Sequence, residues 1–158
     1  MKTIRKSAVA GSFYPEDKEQ LAAIVKDLLA RVKLTSSLKE KPVILIVPHA
    51  GYIYSGQTAA YAFSLAKQFV YKHIVIIGPA HYNLAVKEDK ETIGLILNNK
   101  KEKAKQIDAC GQAGILIARQ LARTHQLNGK LLYYDTSQTQ SADPSSVVGY
   151  AAISFSKE

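Results

Sequence analysis

Apolar residues recur at helical spacing early in the chain. Leu21, Ile24, Val25, Leu28, Leu29 and Val32 follow one another at steps of three and one, which puts them on one face of an amphipathic helix. Pro15 is expected to open that helix, where its missing N–H costs nothing, and Thr35-Ser36-Ser37 to end it. Residues 43–47 (Val-Ile-Leu-Ile-Val) form a short continuous apolar run stopped by Pro48. Such a run predicts a strand buried on both faces, the type found in parallel sheets. A second helix is expected over 56–70, with Ala59, Ala60, Ala62, Phe63 and Ala66 on its packing side, and residues 74–77 (Ile-Val-Ile-Ile) repeat the strand pattern up to Gly78-Pro79.

Strand, helix, strand in this order is a βαβ unit, so 43–47 and 74–77 are expected to lie side by side and parallel. The second half is less regular. Residues 87–106 mix charges with Ile93, Ile96 and Leu97; a helix is expected from about Cys110 to Thr124, with Asp108 as its N-cap. Leu127-Asn128-Gly129 should turn into a strand over 130–136, a polar loop covers 137–145, and 147–155 reads as a last strand. The expected fold class is α/β, a central, largely parallel sheet flanked by helices.

Composition narrows the setting. At 158 residues and 47% hydrophobic, the chain is expected to form one domain with a real core. One cysteine rules out an internal disulfide, and neither a signal h-region nor a membrane-length apolar run is present, so a cytoplasmic protein is expected. The net charge is +8, but lysines alternate with acids, as in Lys87-Glu88-Asp89-Lys90-Glu91, and no basic stripe is interleaved with exposed aromatics. Neither nucleic acid nor membrane is the expected partner.

Candidate chemistry gathers at three places. His49 follows the first apolar run and His81 the second, so both should lie beyond the carboxyl ends of adjacent strands, where open α/β sheets bind ligands. Cys110 is expected at a helix start, where the dipole and free N–H groups favour thiolate. Taken singly, a histidine at a strand end is more often structural and a lone cysteine more often an inert buried side chain. Together, two imidazoles and one thiolate make an incomplete tetrahedron with an open position, a set suited to Zn, Fe or Cu rather than Mg or Ca. Tyr52, Tyr54 and Tyr82 flank the histidines and read either as core or as a pocket wall with polar tips. His73 and His125 read as structural. There is no nucleophile elbow, phosphate loop or dinucleotide fingerprint.

The order Ala10-Gly11-Ser12-Phe13-Tyr14-Pro15, Pro48-His49-Ala50-Gly51-Tyr52, Gly78-Pro79-Ala80-His81, Asp108-Ala109-Cys110-Gly111 and Val147-Val148-Gly149-Tyr150-Ala151-Ala152 resembles the MEMO family, whose bacterial branch is called AmmeMemoRadiSam system protein B. The resemblance implies that His49, His81 and Cys110 are metal ligands, with Gly11, Phe13, Tyr14, Gly51, Tyr52, Tyr54 and Tyr82 around the pocket. It also implies a fold similar to class III extradiol dioxygenases, with cysteine in place of a carboxylate. The chain departs from the family in length: nothing like the central segment that follows the second motif in relatives stands here, an apparent internal deletion near 86–87 that reads either as a shortened gene or as two parts joined across residues not shown. Three functions fit these residues: a metal-dependent redox or dioxygenase-like enzyme, a non-catalytic protein that binds a peptide or small molecule, or an inactive shortened remnant. Without the central segment, exposed strand edges are expected to promote self-association.

Overall fold

The computed structural model describes residues 7, 9–34, 40–78, 97, 111–139 and 147–157. Helix α1 (Lys18–Ala30) begins later than Pro15 suggests. Asp17 is the N-cap, its Oδ1 accepting the Gln20 N–H at 2.9 Å, so a side-chain cap and not the proline sets the first turn. Strand β1 (Ile44–Ile46) keeps only the centre of the 43–47 run. Helix α2 (Tyr52–Ala66) starts directly after its N-cap Gly51, four residues before the expected start. Ser55 Oγ donates to the Ala50 carbonyl at 3.0 Å across that junction.

Helix α3 (Gln112–Thr124) follows Gly111, whose φ of 84° is the left-handed conformation that glycine adopts without strain. The turn after α3 is closed by Gln126 at φ 51° and by the Leu127 N–H on the Ala122 carbonyl at 2.8 Å. Strand β2 (Asn128–Thr136), a short 3-10 turn (Ser137–Thr139) and strand β3 (Gly149–Ser156) complete the described elements.

The described sheet has the order β1-β3-β2, and both pairings are antiparallel. Ile44 sits opposite Phe155 and Ile46 opposite Ile153 on one side of β3; Leu131 meets Ile153 on the other side, before an irregularity that leaves Tyr133 opposite Ala152. Alternation along β3 sends Ile153 and Phe155 into a cluster with Ile115, Ala122 and Leu127, under α3. The other face takes α2, where Tyr61 stacks on Tyr133 with ring centroids 4.1 Å apart and planes 6° from parallel.

The expected parallel pairing of 43–47 with 74–77 is not formed. Residues 74–77 have no strand partner among the described residues, and their side chains are 57% to 89% exposed. β1 instead finds its partner in β3, which puts Ile and Phe side chains opposite one another and lets α3 cover them. Nothing described offers 74–77 such a cover. The segment's beginning is fixed beside β1: the Tyr71 hydroxyl donates to the Pro42 carbonyl at 3.0 Å, and Lys41 Nζ lies 4.4 Å from the Tyr71 ring centroid. The 86–87 junction lies outside the described residues.

This packing makes two outcomes checkable. Phe155 is fully buried in the α3 cluster, so Phe155→Ala should cost about 3–5 kcal/mol of unfolding free energy. Val75→Ala, at a position 83% exposed, should stay within about 0.5 kcal/mol of the parent in the same denaturant titration. The second outcome concerns the hydroxyls between α2 and the sheet. Burial, helped by Asp135 and Tyr61, raises the Tyr133 hydroxyl above its ordinary pKa of 10.0; burial, helped by Tyr54 and Asp135, does the same to Tyr150. The native state therefore holds these protons after the unfolded chain has released them. Stability is intact below pH 10 and falls as pH rises above it. Tyr133→Phe should flatten that alkaline decline relative to the parent, read from denaturant midpoints across the pH series.

Candidate functional site

The site is built where the N-terminal loop meets the start of α2. Gly11, at φ 82°, lets the loop reverse: the Val9 carbonyl accepts the N–H groups of Ser12 and Phe13 at 3.2 and 2.9 Å, and the Gly11 N–H reaches the Tyr14 carbonyl at 2.8 Å. The loop then caps α2. The Phe13 carbonyl accepts the Tyr52 N–H at 2.8 Å, satisfying a donor that has no partner inside the helix. The Tyr14 and Tyr52 rings meet at 5.6 Å and 46°, and the hydroxyls of Ser7 and Tyr14 are hydrogen-bonded.

On the far wall α1 crosses α2 closely at Gly56. A Cβ there would stand 2.8 Å from Leu28 Cδ1, so only glycine leaves Leu28 in place. Gln57 Nε2 donates to the Leu28 carbonyl at 3.3 Å at the same crossing.

Between these walls lies a cleft of about 390 Å³. Phe13 and Tyr14 come from the loop, Val25, Leu28 and Leu29 from α1, Val47-Pro48-His49-Ala50 from the segment after β1, and Tyr52, Ser55, Ala59 and Phe63 from α2. The lining is mostly apolar. The lining residues that carry a side-chain polar group are His49, Tyr14, Tyr52 and Ser55. Such a surface suits a ligand with an apolar body and one or two polar handles. The imidazole can take up or give a proton, or ligate a metal ion.

Of the residues expected in the pocket, His49, Phe13, Tyr14 and Tyr52 line the cleft together. Gly11 and Gly51 shape the backbone beside it: Gly11 turns the loop, and Gly51 caps α2. Tyr54 is not part of the lining; it acts on Tyr150, toward the sheet. His81, Tyr82 and Cys110 lie outside the described residues, and among the described residues no group of three or more His, Cys, Asp or Glu is placed to hold a metal ion. The contribution of Val25, Leu28, Leu29 and Phe63 is not evident from the sequence, because helical periodicity marks an apolar face without telling core from cleft.

Residues 5–89 match the Memo family, described as a Memo-like protein. A MEMO1 family protein of Aquifex aeolicus is 42% identical over 81 residues, covering 51% of this chain and 28% of the relative. MEMO1 family proteins of Pyrobaculum arsenaticum and Thermotoga maritima are 45% and 40% identical over 87 and 89 residues, each covering 51% of this chain and 31% and 32% of the relatives. The chain thus matches about a third of the length of these curated relatives. No solved structure matches. The matched region takes in the loop with Phe13 and Tyr14, α1, β1 and α2 with the whole described cleft, and it spans more than half of the 158 residues: the chain belongs to the Memo-like family.

Proposed function

We propose that this chain is a MEMO-like metal-binding domain in which His49, His81 and Cys110 hold one transition metal ion, zinc, iron or copper. The observation that carries this reading is the position of His49. It stands just past the end of β1, in the lining of a cleft it shares with Phe13, Tyr14 and Tyr52. In sequence, Cys110 precedes Gly111, the left-handed N-cap of α3, a placement that suits a thiolate ligand. A metal in such a set would polarise a water or substrate at its open position. The residues of the chain supply the rest. The apolar walls from α1 and α2 hold the body of a small molecule and exclude water. The hydroxyls of Tyr14 and Tyr52 orient its polar end, and His49 is fixed by its place after the strand. This reading assigns the site redox or dioxygenase-like chemistry on a small organic substrate.

The apolar character of the cleft favours a second reading. A peptide or small ligand could be bound there with no chemistry performed, and such binding would not need the metal.

Freshly purified protein should carry about one transition metal ion per chain, and His49→Ala, His81→Ala and Cys110→Ser should each weaken its retention by about tenfold or more. Elemental analysis after equilibrium dialysis checks this, and full retention in all three variants would overturn the proposal. Ligand binding to the cleft that survives chelation, and is lost in Phe63→Lys, would favour the second reading.

A further inference from the structure

The cleft between α1, α2 and the N-terminal loop has uncharged walls. Among the described residues that line it, none is Lys, Arg, Asp or Glu, in a chain that is 22% charged. Helical spacing produces this. Val25, Leu28 and Leu29 share the cleft side of α1, while Asp27 and Arg31 are exposed and pair with each other. On α2 the steps from Gly56 to Ala59, Ala60 and Phe63 do the same. The few polar groups are partly committed: Ser55 Oγ donates to the Ala50 carbonyl at 3.0 Å, and the Tyr14 hydroxyl is hydrogen-bonded to Ser7. Four rings complete the lining, those of Phe13, Tyr14, Tyr52 and Phe63. Phe13 and Phe63 remain 46% and 54% exposed, so aromatic surface stands unburied in a concave site.

We propose that the cleft selects an uncharged aromatic compound of one or two rings that carries a single neutral polar group. Its 390 Å³ is the space of about a dozen water molecules at roughly 30 Å³ each, which sets the size of the ligand. Aromatic faces and edges in the lining match a ring, and Tyr14 and Tyr52, tilted at 46°, already show the packing that such a ring extends. A charged ligand would leave water without meeting an ion of opposite sign in these walls, and that desolvation goes uncompensated. A hydroxyl or carbonyl needs one hydrogen bond, which the polar residues of the lining are able to supply. Carboxylates and phosphate esters are therefore disfavoured by the walls themselves. The proposal rests on the reading of the cleft as a small-molecule site, and not on the metal.

Calorimetric titration of the full chain with naphthalenemethanol and with naphthoate tests it. The two probes share a ring system and differ in charge. Chelator is present throughout, so that a carboxylate has no metal ion to bind. The alcohol should bind more tightly than naphthoate by about tenfold or more. Phe63→Lys places an ammonium group at the exposed edge of the cleft and should reverse that preference. Ala59→Trp, which fills the cleft, should weaken the alcohol by about tenfold or more. Far-UV circular dichroism should show both variants folded. Equal affinities, or tighter binding of naphthoate by the parent chain, would overturn the proposal and leave the cleft a binding site. Binding of neither probe would overturn it together with the small-molecule reading. Alcohol binding that both variants leave intact would put the ligand elsewhere and overturn it as well.

Discussion

Everything described in this molecule hangs on the burial of β3. It is the middle strand of the described sheet, and Ala152, Ile153 and Phe155 are completely buried. One of its faces takes Ile115 and Ala122 of α3, while the other receives α2. Fully burying a side chain such as Phe155 contributes about 1.5–3 kcal/mol, and β3 does this on both sides at once. Its two neighbours are fixed as a consequence. β1 and β2 pair antiparallel with it, and their register puts Ile44, Ile46 and Leu131 opposite Phe155 and Ile153.

The cleft inherits its shape from the same arrangement. Helix α2 has two working sides. Its sheet side carries Tyr61 against Tyr133, and its outer side carries Gly56, Ala59 and Phe63 toward α1 and the N-terminal loop. Small residues let α1 approach, and the Phe13 carbonyl on the Tyr52 N–H ties the loop to the helix start. His49 thereby stands between β1, which is paired to β3, and the helix start that the loop caps. Family membership and geometry meet here, since the matched region of the chain is also the region that builds the cleft.

The three helices and the two long strands are legible in the sequence, because their apolar periodicities are strong and their ends carry capping or turn residues. Boundaries are less so. Asp17 wins the first cap of α1 from Pro15 through a side-chain hydrogen bond, and α2 begins at Tyr52 because Gly51 can end the preceding extended segment. The strand pairing is not legible. Two short β-branched runs joined by a helix suggest a parallel pair, but the run 43–47 pairs where a long partner with matching Ile and Phe residues is available, and that partner comes from the end of the chain. Periodicity carries no information about such distant choices. In the site, Phe13, Tyr14, His49 and Tyr52 are readable from their motifs, whereas Tyr54 falls on the sheet side of α2 because its helical position differs from that of Tyr52. Val25 and Phe63 look like core residues in the sequence and line the cleft in the structure.

The central claim is that a family histidine in an apolar cleft is one of three ligands to a metal ion. X-ray absorption on the zinc-loaded chain tests it most directly. The account predicts a first shell with one sulfur at about 2.3 Å and two imidazole nitrogens at about 2.0–2.1 Å. A shell of oxygens alone, or one without sulfur, would contradict it.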